Sequence, residues 1–250
     1  MTPSKPAPTH FLCLPLAGAQ LARSWAAFRA DVTSPAGSGM PGDVVRPLGT
    51  LHLTLGVMSL KPDGVDGAVR LLESLRPRAM LAELRAAASR PTSATSSGKG
   101  KEPALGPLTD GGGGLSLTLR GLRAMHSPSK TSVLYAAPHD PDGLVRRFCE
   151  QLRQPFRDAG FMDDDKRPLL LHVTLVNTIY AKGGRGPGGR RERVTLDARE
   201  LLERYGEVVW AEGLPVTRLA ICRMGAKKVE GSNGGDAAYE VEKAVTLERT

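Results

Sequence analysis

A five-residue motif that occurs twice constrains this chain more than any other feature of its sequence. Residues 51–55 read Leu-His-Leu-Thr-Leu and residues 171–175 read Leu-His-Val-Thr-Leu, which places His52 and His172 120 residues apart. Both copies have the composition of β-strands, in which successive side chains point to opposite faces. Each histidine therefore shares a face with the threonine two residues later, while the intervening leucine or valine enters a core.

The surroundings of the motif repeat as well. In the first half the predicted elements are a strand, a helix, the motif strand, a helix and a strand, at 10–16, 19–32, 51–55, 65–75 and 115–119. In the second half the same order falls at 132–136, 142–159, 171–175, 196–205 and 216–222. This duplication predicts a bilobal α+β domain with pseudo-twofold symmetry, in which two antiparallel-rich sheets surround a central cleft and helices lie outside.

Two histidines facing one cleft suit acid/base chemistry on a phosphodiester, because one can take a proton from the attacking oxygen while the other gives one to the leaving oxygen. The hydroxyls of Thr54 and Thr174 can bind the non-bridging phosphoryl oxygens and stabilise the charge of the transition state. The alternative is that each histidine is a hydrogen-bonded core residue and each threonine reflects strand propensity. The matched positions favour catalytic roles for His52, Thr54, His172 and Thr174, with the acid and the base not yet assigned.

Neither pentapeptide has a third histidine or a carboxylate at ligand spacing, so the sequence predicts no metal and no cofactor. The net charge of +8 suits a polyanionic partner. Part of it falls in a Gly-rich basic segment at about 182–193, predicted to be a flexible loop that either follows RNA phosphates or is only a solvated insertion.

Low-complexity composition marks the other segments outside the repeat. The Ser- and Gly-rich stretch at about 88–113 is predicted to be a disordered insertion in the first lobe. Residues 1–8 are expected to form a flexible tail, and 9–250 a single bilobal domain. The three cysteines have no paired spacing, which argues for a reducing compartment and against a disulfide framework or a zinc site. Without a signal peptide or a membrane-length apolar segment, we expect a nuclear or cytoplasmic monomer with no membrane contact.

The paired motifs and the duplicated order resemble the two-histidine (2H) phosphoesterases, which include bacterial LigT-type RNA ligase/cyclic phosphodiesterases. Segments 9–16, 171–178 and 221–228 are similar to one branch of that superfamily. That branch comprises the central domain of an A-kinase anchoring protein and subunit 1 of the activating signal cointegrator complex. The resemblance runs from about Thr9 to the C-terminus and implies the LigT-like fold.

The resemblance implies attack on the phosphate of an RNA end or a short oligonucleotide. The reactions implied are opening of a 2′,3′-cyclic phosphate, cleavage of a 2′–5′ linkage, or trimming of a 3′ end. Tyr180 can stack on a base if its strand extends that far, or it can be a core or edge aromatic. Arg223 and Lys227 follow the last strand and are candidate phosphate contacts, although cations near a turn are ordinary surface residues.

Two further functions compete with the enzymatic one. The domain can be a non-catalytic RNA- or nucleotide-binding subunit of a transcription-coactivator or DNA-repair helicase complex, since retained histidines do not prove turnover. It can also be a scaffold whose partner-binding surface matters more than the cleft. Turnover of RNA substrates separates these functions.

Overall fold

The computed structural model describes residues 6–89, 114–162, 168–181, 194–231 and 236–247. The helices in these ranges are α1 (Ala19–Thr33), α2 (Pro62–Ser74), α3 (Pro77–Ala88), α4 (Leu144–Asp158) and α5 (Arg199–Tyr205). The strands are β1 (His10–Pro15), β2 (His52–Met58), β3 (Leu115–Ala124), β4 (Val133–Pro138), β5 (Val173–Asn177), β6 (Val209–Val216), β7 (Arg218–Arg223), β8 (Lys227–Lys228), β9 (Ala237–Ala238) and β10 (Val241–Thr246).

Eight of these strands form two antiparallel sheets of four. The first sheet has the order β10-β7-β1-β2, and the second has the order β5-β4-β3-β6. The two short strands β8 and β9 pair with each other. The α+β class with two antiparallel sheets, predicted from the repeat, is therefore confirmed.

The two halves of the sequence exchange strands. The third strand of the first repeat, β3, pairs with β4 and β6 in the second sheet. The third strand of the second repeat, β7, pairs with β1 and β10 in the first sheet. Each sheet consequently contains strands from both repeats, an arrangement that the order of elements along the chain does not reveal.

Four helices and six strands were expected from the sequence, and the structure adds to them. Helices α1, α2, α4 and α5 lie at the predicted places, within three residues at each end. Helix α3 and strands β6, β8, β9 and β10 were missed. Two predictions fall largely outside the described residues: the disordered insertion at about 88–113, of which only Ala88 and Ser89 are described, and the basic loop at 182–193.

The motif strands meet where the two sheets join. Strands β2 and β5 are the adjacent edges of their sheets and contact each other. In both strands the residues between the polar positions, among them Leu53, Leu55, Val173 and Leu175, are fully buried in one hydrophobic core. Burial of these aliphatic side chains fixes the register, because a slip by one residue would turn each histidine into the core.

A short segment covers the free edge of β5. Val45 forms an antiparallel bridge with Val176, the Arg46 amide donates to the Leu175 carbonyl at 2.8 Å, and the Asn177 amide donates to the Val44 carbonyl at 2.8 Å. This pairing satisfies the edge of the second sheet with residues that precede the first motif. It also holds the residues just before β2 against the second motif strand.

We propose that the exchanged strands make residues 9–247 one folding unit, and we predict that neither half folds alone. A fragment of residues 1–126 keeps only β1 and β2 of the first sheet and leaves β3 without either partner strand. Two-stranded sheets are marginally stable at best in water. Fragments 1–126 and 127–250, followed separately by circular dichroism during heating, should show no cooperative transition. A sigmoidal melt of either isolated half would contradict this expectation.

Candidate active site

The alternation of β2 and β5 places both motif histidines and both motif threonines on the face away from the core. His52, Thr54, His172 and Thr174 are each partly exposed, and the residues between them are fully buried. Thr54 and Thr174 line one cavity of about 180 Å³ together with His52. Residues of both motifs therefore meet at one cavity, although His172 is not among the described residues that line it.

Both imidazoles make the same backbone hydrogen bond. The Nδ1 of His52 lies 2.6 Å from the carbonyl oxygen of Thr50, and the Nδ1 of His172 lies 2.9 Å from the carbonyl oxygen of Leu170. A carbonyl oxygen can only accept, so each Nδ1 carries a proton and donates it. Each Nε2 is left to exchange protons with a ligand, because the tautomer of the ring is set by the bond at the other nitrogen.

The cavity has aromatic walls in addition to its polar residues. Its lining consists of Phe11, Arg46, Thr50, His52, Thr54, Val57, Thr174, Asn177, Tyr180, Met224 and Tyr239. The Tyr239 ring lies edge-on to Phe11 at 4.8 Å and to His52 at 5.3 Å between ring centres. Phe11 also lies 4.9 Å from the His52 ring. These rings limit the freedom of the His52 side chain.

Arg46 places a buried positive charge in the same cavity. The residue is only 7% exposed, and its guanidinium carbon lies 3.9 Å from the centre of the Tyr180 ring. Its Nη2 donates to the Tyr239 hydroxyl at 3.3 Å, and its backbone carbonyl accepts from the Trp25 indole at 2.9 Å. Across the described ranges no carboxylate forms an ion pair with it. A buried guanidinium group that no described carboxylate pairs with can bind an anionic ligand.

The environment of His52 favours its neutral form. Burial is the main reason that the pKa of His52 falls to about 4, and the positive charges of His172 and Arg46 lower it further. The hydrogen bond to the Thr50 carbonyl acts in the opposite direction. His52 is consequently uncharged at neutral pH, with the Nε2 lone pair available as a base.

Tyr180 lines the cavity, but not as part of a strand. Strand β5 ends at Asn177, whose side-chain oxygen accepts from the Ile179 amide at 3.1 Å and starts a 3₁₀ turn at Thr178–Tyr180. The condition that the strand extends to Tyr180 is therefore not met. The turn nevertheless brings the ring beside Arg46 and leaves the side chain 44% exposed.

Arg223 and Lys227 are engaged elsewhere. Arg223 forms ion pairs with Glu242 and, at 3.6 Å, with Glu240, and Lys227 pairs with Glu240. Neither residue lines the cavity. The structure thus places Tyr180 in one cavity with His52, Thr54 and Thr174, but it does not bring these two cations there.

Sequence reasoning missed Arg46 and Tyr239. Each is an isolated residue with no motif around it, and only the fold gathers them at His52. The one available signal was the apolar setting of Arg46, which follows two valines and precedes a proline. Within the described ranges, no cluster of three or more His, Cys, Asp or Glu side chains could hold a metal ion. None of the helices in those ranges is long and apolar enough to cross a bilayer.

The depressed pKa of His52 predicts how stability changes with pH. The unfolded chain takes up a proton at this residue below about pH 6.5, whereas the folded protein resists protonation until about pH 4. His52 should therefore lower the free energy of unfolding by up to about 3 kcal/mol as the pH falls through this window. We expect His52→Gln to become more stable relative to the wild type between pH 6.5 and pH 4, measured by urea unfolding.

The control for this measurement is Thr54→Val, a neighbour on the same strand that cannot titrate. Its stability difference from the wild type should stay constant over the same pH range. A pH-independent difference for His52→Gln as well would show that the imidazole is not kept neutral by the fold.

Comparison with known proteins identifies the family. A family model described as the AKAP7 2′5′ RNA ligase-like domain matches residues 8–247. The uncharacterized protein C15D4.13c of Schizosaccharomyces pombe is 35% identical over 100 residues, which cover 40% of this chain and 44% of that protein. The alignment thus spans less than half the length of that relative.

Several solved structures have a similar arrangement at low sequence identity. A crystal structure of a phosphoesterase is 17% identical with a TM-score of 0.49, covering 98% of this chain and 100% of the other. Escherichia coli LigT complexed with 3′-AMP is 18% identical with a TM-score of 0.48, covering 97% and 99%. The protein TT0787 of Thermus thermophilus is 16% identical with a TM-score of 0.45, covering 96% and 97%.

The family match extends over nearly the whole chain and includes both motif strands. It agrees with the resemblance to the two-histidine phosphoesterases that the repeated motif carries. The chain therefore belongs to the AKAP7 2′5′ RNA ligase-like domain family of that superfamily.

Proposed function

We propose that this protein is a metal-independent phosphodiesterase that acts on RNA ends or short oligonucleotides. The observation that carries the proposal is the equivalent placement of His52 and His172. Each lies at the start of a motif strand, gives its Nδ1 proton to a backbone carbonyl, and has a threonine on the same face two residues later. Two such groups supply both proton transfers of a phosphodiester displacement.

His52 is the base in this proposal, because burial keeps it uncharged near neutral pH. In the opening of a 2′,3′-cyclic phosphate, the water oxygen bonds to phosphorus while its proton passes to Nε2 of His52. The bond from phosphorus to one ribose oxygen breaks, and that oxygen takes a proton from Nε2 of a protonated His172. Both Nδ1 atoms keep their protons on the backbone carbonyls throughout.

The phosphoryl oxygens are bound by the remaining polar residues of the cavity. The hydroxyls of Thr54 and Thr174 donate to the non-bridging oxygens from the two opposite strands. Arg46 adds a positive charge that no described carboxylate neutralises. Donors and a cation held in place before reaction stabilise the extra charge of the pentacoordinate transition state at little reorganisation cost.

The size and walls of the cavity favour a single nucleotide at the reacting phosphate. A volume of about 180 Å³ is small, and the aromatic rings of Phe11, Tyr180 and Tyr239 border it. Arg46 lies over one face of the Tyr180 ring, and the exposed part of that ring can stack on a base. These features support recognition of a nucleotide end through stacking together with a bound phosphate.

The competing proposal is a non-catalytic RNA- or nucleotide-binding subunit of a nuclear or cytoplasmic coactivator or repair complex. One experiment separates the two proposals. Purified protein is incubated with oligonucleotides that carry a 2′,3′-cyclic phosphate, a 2′–5′ linkage or a free 3′ end, with and without EDTA. We expect turnover of at least one substrate at a rate that EDTA does not change. Binding of all three substrates without turnover would establish the binding subunit instead.

The histidines give the corresponding mutational prediction. His52→Ala and His172→Ala should each lower kcat by about 10²–10⁴-fold, the usual contribution of a positioned acid or base. The double variant should be little slower than either single variant, because the two groups act in one concerted displacement. Thr54→Val should lose less, since a threonine supplies a hydrogen bond rather than a proton. Steady-state kinetics on the preferred substrate provides the measurement.

The matched control is His126→Ala, an exposed histidine that does not line this cavity. It should retain the wild-type rate. A shared acid/base role would be contradicted if the fold-losses of the two single variants multiplied in the double variant. It would also be contradicted if only one of the two single variants lost activity.

A further inference from the structure

A second and larger cavity lies on the second sheet beside the cavity of about 180 Å³ that His52, Thr54 and Thr174 line, which we call the histidine cleft. Its volume is about 560 Å³, and its walls come from β3, β4, the residues around the start of α4, and the segment just before β5. Tyr135 lines this cavity, and its ring lies edge-on to the His172 ring at 5.6 Å. Leu170 and Leu171 also line it and directly precede His172 in the chain. The cavity therefore begins where the proposed acid stands.

The register of the sheet leads from the catalytic face to an arginine. Tyr135 pairs with Thr174 on one side and with Arg123 on the other. Directly paired residues share a face, and neighbouring strands lie about 4.8 Å apart, so Arg123 is on the catalytic face about 10 Å from Thr174. An extended ligand bound at Thr174 can therefore pass over Tyr135 and reach Arg123.

A bulge in β3 adds a second arginine to the same face. Arg120 and Arg123 are three residues apart and would normally point to opposite sides of the strand. The register shifts at Gly121, which has a φ of 73°, and Arg120 pairs with Ala137, two residues from Tyr135 on β4. The bulge thus turns both arginines toward the cavity, a role that bulges beside functional sites often have.

The balance of charge in the cavity leaves two cations free. Asp140 accepts hydrogen bonds from the amides of Val145 and Arg146 at 3.0 and 2.9 Å, and Glu207 pairs with Arg120 at 2.6 Å. The exposed guanidinium groups of Arg123 and Arg146 have no ion pair or hydrogen bond within the described ranges. Both line the cavity and are available to an anionic ligand.

The cavity also has apolar surface against which nucleotide bases can pack. The Leu170 side chain is 45% exposed although it is a large aliphatic group, and it lines the cavity with Pro138. Two guanidinium groups that no described residue pairs with, beside the exposed Leu170 and the half-buried Pro138, match a single strand of nucleic acid, whose phosphates and base faces alternate. An isolated phosphate ion would make no favourable contact with these apolar side chains.

We propose that this cavity binds the continuation of a single-stranded RNA whose terminal nucleotide occupies the histidine cleft, with backbone phosphates on Arg123 and Arg146. The position of the RNA end rests on the proposed function, but binding of the strand does not require turnover. The cavity gives the protein a preference for oligonucleotides over mononucleotides.

The test compares two double variants in binding and in turnover. Arg123→Ser/Arg146→Ser removes the two cations of the cavity that no described group pairs with. The control Arg70→Ser/Arg147→Ser removes two exposed arginines of α2 and α4, neither of which lines either cavity. Fluorescence anisotropy measures the affinity for a labelled 2′-O-methyl hexauridylate, which cannot be attacked by its own 2′ oxygen. Circular dichroism verifies that each variant is folded, and each single variant repeats the measurement.

Loss of two phosphate contacts should lower the slope of log K against log salt by about 1.4, which is about 25-fold in affinity at 0.1 M salt. Each single variant should lower the slope by about 0.7. The control should stay within about twofold of the wild type, and turnover of uridine 2′,3′-cyclic monophosphate should be the same in all variants. If the wild type turns over nothing, the proposed function fails and the binding measurements alone decide the second proposal. Equal affinity of the two double variants for the hexanucleotide would overturn the second proposal. So would a loss of mononucleotide turnover in Arg123→Ser/Arg146→Ser that is as large as its loss of hexanucleotide affinity.

Discussion

The chemistry available in the cleft depends on one backbone hydrogen bond that is made twice. Thr50 and Leu170 each present a carbonyl oxygen to the imidazole two residues later, before the motif strand enters its sheet. Because the acceptor is main chain, the tautomer of each ring is set by the local fold and not by a side chain that could be replaced. Burial also keeps His52 neutral, which suits the role of base that we propose for it.

The exchange of strands between the repeats brings these two sites together. Each motif strand is the edge of a sheet whose third strand comes from the other repeat, so neither motif has a complete sheet within its own half of the chain. The segment that pairs with the edge of β5 also carries Arg46, which enters the cleft between the two motifs. Closure of the sheet edge and placement of the Arg46 charge in the cleft are therefore consequences of the same pairing.

Much of the fold was predictable from the sequence because local patterns determine it. Alternation in the pentapeptides predicts which side chains are buried, and three- and four-residue spacings predict α1 and α4. The partners of β3 and β7 were not predictable, since strands of similar composition can pair within either sheet and the pattern of one strand does not name its neighbour. Arg46 and Tyr239 join the site only through such long-range pairing.

Long-range strand pairing also explains why Arg223 and Lys227 do not line the cavity. Their position after the last predicted strand indicated phosphate contacts, but β10 lies against β7. Glu242 in β10 pairs with Arg223, and Glu240, which directly precedes β10, pairs with both cations. Strand β10 was not predicted, so its carboxylates were not weighed against these cations. Opposite charges on neighbouring strands satisfy one another where no ligand competes.

The dependence of kcat/KM on pH tests the shared acid/base role most directly. With a 2′,3′-cyclic mononucleotide as substrate, we expect a bell-shaped profile whose acidic limb reports protonation of His52 and whose alkaline limb reports loss of the proton from His172. The residual activity of His52→Ala should lack the acidic limb, and that of His172→Ala should lack the alkaline limb. A profile in which both limbs persist in both variants would contradict proton transfer by this pair.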